Sequence, residues 1–106
     1  MKGGIKIKMK IKTIDINVKE WFDKINGNSY FAGEIFLNYG LKNVKCIFMP
    51  FQYGYGEHYQ DEGFKAICEE LKIKTDLRLY RYCEENNIIL RTNKEENCLK
   101  KDLLIY

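Results

Sequence analysis

Apolar and charged residues alternate strictly at the start of the chain. Ile5, Ile7, Met9 and Ile11 interleave with Lys6, Lys8, Lys10 and Lys12, the period-2 pattern of a strand with one buried and one wet face. From Ile14 the apolar set moves to even positions with Ile16 and Val18. A bulge near Thr13 accommodates that shift and predicts a bent first strand over about residues 4–22. Asn26-Gly27 follows as a hairpin turn, because both residues tolerate positive φ. Residues 30–38 return as a second strand, and 39–43 make a second turn. Residues 44–51 read as a third strand, with Val44, Cys46 and Phe48 on one face and Ile47, Met49 and Phe51 on the other. Apolar character on both faces predicts a strand that is central or covered on both sides.

The period then changes. Phe64, Ile67, Cys68 and Leu71 recur at helical spacing within a predicted helix over 58–73. Thr75 or Asp76 can cap a second helix over about 76–86, with Leu77, Tyr80 and Cys83 inward and Leu79 as a further inner candidate. Ile88-Ile89-Leu90 reads as a buried strand, 94–102 as a loop or short helical turn, and Leu103–Tyr106 as a possible final strand. The order β-β-β-α-α-β predicts an α+β domain: an antiparallel sheet of three to five strands with helices on one face. Nothing marks a linker, so residues 1–106 read as a single domain, a motif-bearing core over 1–73 and a C-terminal addition over 74–106.

Composition narrows the function classes. The net charge is +3, from 18 basic and 15 acidic residues. Five lysines and no acid fall in residues 1–12, so the remainder is close to neutral, unlike a strongly basic duplex-DNA binder. The lysine row reads either as an edge strand guarded against aggregation, the preferred reading, or as a phosphate-contacting face. No apolar run is long enough for a bilayer and no signal-peptide pattern opens the chain, so a cytoplasmic protein with no membrane partner is expected. Cys46, Cys68, Cys83 and Cys98 form no C-x-x-C pair and read as small apolar residues, with no metal site expected.

Two segments stand apart: Trp21-Phe22-Asp23-Lys24-Ile25-Asn26-Gly27-Asn28-Ser29-Tyr30-Phe31, and Pro50-Phe51-Gln52-Tyr53-Gly54-Tyr55-Gly56-Glu57-His58-Tyr59. They mix glycine with aromatic and amide side chains, as binding loops do. In a meander the first turn and the exit from the third strand lie at the same end of the sheet. Lys24, Asn26, Asn28, Ser29, Gln52, Tyr53, Tyr55, His58 and Tyr59 are therefore expected together, beside the N-terminus of the first helix. The bland alternative is turn chemistry, and Trp21, Phe22, Phe31 and Phe51 themselves read as core in preference to contact residues. Catalysis has little support. His58 has Glu57 and Asp61 nearby, yet no motif pairs it with a nucleophile, and Gly54-Tyr55-Gly56 lacks the rest of a phosphate-binding loop. No catalytic residue and no cofactor is assigned. A small enzyme using His58 is the third reading.

The two segments at this spacing, over residues 20 to about 68, resemble a group of small uncharacterised bacteriophage and prophage proteins; the residues from 75 onward fall outside the shared pattern. The resemblance implies a phage accessory or anti-defence protein in a bacterial host cytoplasm. Two partner classes are weighed for the loop end, the first as the principal expectation and the second as its alternative. One is a nucleotide or single-stranded nucleic acid, stacked on Tyr53, Tyr55 and Tyr59, read by Asn26, Asn28 and Gln52, its phosphate on Lys24 and the helix N-terminus. The other is a host defence protein, such as a CRISPR complex, inhibited through the same surface. A homodimer, paired through the first strand or the C-terminal end, is also expected.

Overall fold

The computed structural model describes residues 9–106. Ile5, Ile7, Lys6 and Lys8 of the alternating segment lie outside the described residues. The elements are β1 (Thr13–Asp23), β2 (Asn28–Leu37), β3 (Lys45–Tyr53), α1 (His58–Leu71), α2 (Leu79–Glu85), β4 (Ile89–Glu95) and α3 (Lys100–Leu103). The strands form one sheet in the order β3-β2-β1-β4. The α+β class and the β-β-β-α-α-β order are as expected. The wholly antiparallel sheet is not: β1–β2 and β2–β3 are antiparallel, but β4 runs parallel to β1, with Thr13 opposite Ile89 and Lys19 opposite Glu95. The segment between β3 and β4 holds two helices, long enough to carry the chain back to the end where β1 begins.

One face of the sheet carries the core. Ile14, Ile16 and Val18 of β1, Phe31, Ile35 and Leu37 of β2, and Met49 of β3 are buried with Phe64 and Ile67 of α1 and Leu79 and Cys83 of α2. Each such aliphatic or aromatic side chain contributes roughly 1.5–3 kcal/mol on full burial. Gly63 lets α1 approach closely, since a Cβ there would sit 3.0 Å from Ile16 Cδ1 and 3.6 Å from Ile35 Cδ1. Gly33 does the same between strands: a Cβ would lie 2.0 Å from the Asn17 carbonyl oxygen.

Several expectations are corrected. β1 is a central strand, so Lys10 and Lys12, both exposed, precede the sheet and do not guard its edge. The parity change falls before the strand, where buried Asn38 holds the Lys10–Thr13 backbone. A central β1 also removes most of the edge through which it was expected to pair with a second copy. β3 is an edge strand, with Phe48 62% exposed. Ile47 and Met49 face the core while Cys46 and Phe48 face outward, and a register slip between Phe31 and Gly33 moves Phe51 across to the face of Tyr30 and Trp21. In α2 the inner residues are Leu79 and Cys83, while Tyr80 is 76% exposed, because the helix starts after Arg78. Thr75 instead uses its hydroxyl to accept the Leu77 N–H. The C-terminal segment forms α3 and no strand. α3 lies against β1 and β2 on the face opposite α1, with Lys100 over the Trp21 ring and Leu103 fully buried.

Candidate functional site

The β1–β2 hairpin turn and the β3–α1 loop leave the sheet at one end. The Gly54 N–H donates to the Ser29 carbonyl at 3.0 Å, and Tyr30 is paired with Tyr53. The turn itself is built by Asp23. Its carboxylate accepts the Ile25 and Asn26 backbone N–H groups and the Asn26 side-chain amide at 2.8 Å, and Gly27 adopts φ 70°. The Asn26 amide holds the Asp23 carboxyl below the usual carboxylate range. Asn26 is thus occupied by the turn. Gln52 is likewise engaged, donating to the Pro50 carbonyl at 3.0 Å. Lys24 is exposed on the turn, and Asn28 and Ser29 are half-buried at the start of β2.

The loop residues separate into two groups. Tyr53 and Tyr55 are 56% and 68% exposed, and their rings meet edge-to-face at 6.4 Å. Tyr59 is buried and belongs to the core, which corrects its expected role as a stacking surface. Its position one residue inside α1 turns it toward the sheet, beneath the Lys94 ammonium at 5.9 Å. Gly54 is confined between Phe31 and His58, whose atoms would lie 2.6 and 2.7 Å from a Cβ. His58 stands edge-on to Phe31 and 3.5 Å from Glu62.

A cleft of about 400 Å³ is lined by Tyr53, Gly54, Tyr55, Glu57, His58 and Asp61. Its charged walls are mainly acidic. Asp61 is bridged by Arg78 at 2.6 Å, and Glu57 precedes the first turn of α1. These carboxylates already complement the positive end of the helix. They make the cleft a poor phosphate seat, and with Asp61 paired to Arg78 the Glu57 carboxylate is the lining charge left to face a cation. A larger groove, about 950 Å³, lies at the other end of the molecule and includes none of these residues.

Two features had no sequence signal. Lys94 of β4 donates to the Gly56 carbonyl at 3.0 Å and pairs with Glu20 at 3.4 Å, tying the loop to β1. Trp21, Tyr30 and Phe51 form a stack, with ring centroids 5.6 and 5.0 Å apart, that Tyr53 continues at 5.8 Å. Lys100 caps it, 5.4 Å from the Trp21 ring. The aromatic surface therefore runs from the cleft onto the α3 face of the sheet. Phe22, expected in the core, is 48% exposed, and only Phe31 of the four aromatics is fully buried. Among the described residues no group of three or more His, Cys, Asp or Glu is placed to hold a metal ion, and no helix is long and apolar enough to cross a membrane. No protein-family model matches the chain, and comparison with curated proteins and with solved structures gave no match.

Proposed function

We propose that this chain is a non-enzymatic binding protein that recognises a partner protein through the Tyr53/Tyr55 end, receiving a basic side chain of that partner in the cleft. The observation that carries the reading is the juxtaposition of two exposed tyrosine rings with the Glu57 carboxylate, in a cleft whose other lining carboxylate, Asp61, is already paired with Arg78. Aromatic faces attract an arginine or lysine by cation–π interaction, and carboxylates add charge-assisted hydrogen bonds. A few such anchors dominate the affinity of a protein interface. The resemblance of the two loop segments to phage and prophage proteins makes a bacterial host protein, such as a defence effector, the class of partner. The test is capture from nuclease-treated host lysate. A stoichiometric partner is retained by the native chain and by Phe48→Ser, and is lost with Tyr53→Ala/Tyr55→Ala and with Glu57→Lys. Equal capture by all four proteins would sink the reading.

A second reading, single-stranded nucleic acid or a nucleotide, is favoured by the Trp21–Tyr30–Phe51 stack with Lys100 beside it. Bases stacking on such rings contribute roughly 1–3 kcal/mol each. Capture that disappears on nuclease treatment, with heat released on titrating short single strands, would select it.

A further inference from the structure

A groove of about 950 Å³, near the upper end of the range for small-molecule sites, lies at the opposite end of the described residues. Its aliphatic lining comes from Met9, Ile11, Leu71, Ile73, Leu77 and Ile88. Its charged lining is Lys10, Lys72, Lys74 and Glu70. Glu70 is paired with Lys45 at 3.2 Å. The three groove lysines are exposed and have no carboxylate partner among the described residues, and residues 1–8 contain no acid. The groove therefore combines an aliphatic interior with uncompensated positive charge.

Its walls are held by specific bonds. The Ile73 N–H closes the end of α1 on the Cys68 carbonyl at 2.9 Å, with Lys72 in the left-handed region at φ 56°. The Leu77 N–H is held by Thr75 and the Lys10 carbonyl by Asn38. Among the described residues, the groove's aromatic ring and amide are already engaged and not free to read a base. The one aromatic lining residue, Tyr82, already packs on Phe64 with centroids 5.2 Å apart, and the Asn86 amide donates to the Tyr82 carbonyl at 2.8 Å.

We propose that this groove binds a single-chain fatty carboxylate, with the alkyl chain along Ile11, Ile73, Leu77 and Ile88 and the carboxylate among Lys10, Lys72 and Lys74. Alkyl burial supplies the affinity and the lysines select the anionic head. This site shares no residue with the cleft and does not depend on the reading of it.

The experiment titrates the full chain with monomeric dodecanoate, below its micelle concentration, followed by methyl and amide NMR. Saturable shifts at Ile11, Ile73, Leu77 and Ile88 are expected, unchanged in Tyr53→Ala/Tyr55→Ala. Lys10→Gln/Lys72→Asn/Lys74→Gln, with asparagine at the left-handed position, is expected to bind about tenfold more weakly and with less salt dependence, since rim charges of an open site are individually modest. Dodecanol should bind the native chain about as weakly as dodecanoate binds that variant. Ile73→Ser, at a half-exposed position, should weaken both ligands. No shifts, shifts centred on Tyr53 and Tyr55, or equal dodecanoate affinity in the lysine variant would overturn the assignment. So would an acidic amphipathic peptide that occupies the groove and is not displaced by dodecanoate.

Discussion

The Asn38 side chain accepts the Lys12 backbone N–H at 2.6 Å across 26 residues of sequence. The same amide donates to the Lys10 carbonyl at 2.9 Å, and its backbone N–H donates to the Thr13 carbonyl at 2.9 Å. Asn38 is fully buried and sits at φ 58°, a conformation that asparagine tolerates better than most residues. It ends β2 and sets the path by which the chain enters β1. Asn38→Ala leaves the Lys12 N–H and the Lys10 carbonyl without these partners and keeps the unfavourable φ. A loss of about 2–4 kcal/mol in urea unfolding is expected. Asn38→Gly, which relieves φ alone, should lose less than Asn38→Ala. Equal stability of Asn38→Ala and the native chain would show that the tether is incidental.

Gly33 and Gly63 separate two kinds of close approach. A Cβ at Gly33 meets the β1 backbone at 2.0 and 2.7 Å, atoms that cannot swing aside. Gly33→Ala is expected to cost about 3 kcal/mol or more, or to prevent folding. At Gly63 the nearest atom, 3.0 Å away, is the terminal methyl of Ile16. Gly63→Ala also gains about 1 kcal/mol of helix propensity, so a net change near zero is expected. Thermal unfolding of the pair decides: similar losses would contradict the distinction.

The parts of the fold legible in the sequence were those set by local chemistry. Asn26-Gly27 marked the first hairpin, and it brought Ser29 and Gly54 to one end as a meander requires. Phe64 and Ile67 marked the inner stripe of α1. What failed depended on distant partners. The apolar residues of β3 looked like those of a central strand, yet Pro50 is better suited to an edge or an irregularity, and Phe51 changes face beside it. The two-helix segment before Ile88 carried the information that β4 would be parallel, and strand pattern alone did not. At the site, exposure of Tyr53 and Tyr55 was legible from Gly54 and Gly56, whereas burial of Tyr59 depended on where α1 meets the sheet. Lys94 is one lysine among many in the sequence, and only the fold brings it to Gly56.

Tyr53 and Tyr55 are expected to be dispensable for stability and Tyr59 essential to it. The first two are more than half exposed, so Tyr53→Ala/Tyr55→Ala should cost about 1 kcal/mol or less. Tyr59→Ala opens a cavity in the core and should cost about 3–5 kcal/mol. Denaturation midpoints measure both. A loss from the loop pair as large as that from Tyr59→Ala would make those tyrosines structural and remove the basis for a recognition surface.

Lys94 is expected to act by holding the loop in place. Lys94→Met preserves an apolar stem over Tyr59 but removes the bonds to the Gly56 carbonyl and to Glu20. Faster hydrogen exchange confined to the loop and the first turn of α1 is expected, with a stability loss of about 1–2 kcal/mol. Partner capture should weaken without being abolished, because Tyr53 and Tyr55 are still present. Unchanged exchange at the His58 amide, which donates to the Tyr55 carbonyl at 3.2 Å, would refute the role.

Alkaline pH tests the core from another side. Cys83 is 3% exposed, and burial pushes its thiol from the ordinary value of 9.0 up to about 11. The folded state favours the neutral thiol, whereas the unfolded chain ionises it near its ordinary value. The associated stability is therefore complete below pH 9.0 and is lost progressively as the pH rises toward about 11. The full interval corresponds to about 2–3 kcal/mol. Burial also raises Cys68 and Tyr82, so they contribute slope of the same sign. Cys83→Ala should lower stability at neutral pH by about 1 kcal/mol through lost packing, and should flatten the alkaline decline relative to the native chain. Urea midpoints of the two proteins, compared across this interval, isolate the Cys83 contribution from that of the lysines and tyrosines common to both. Parallel declines would mean that the Cys83 thiol ionises in the folded protein as readily as in the unfolded chain, and that α2 opens enough at this position to admit water.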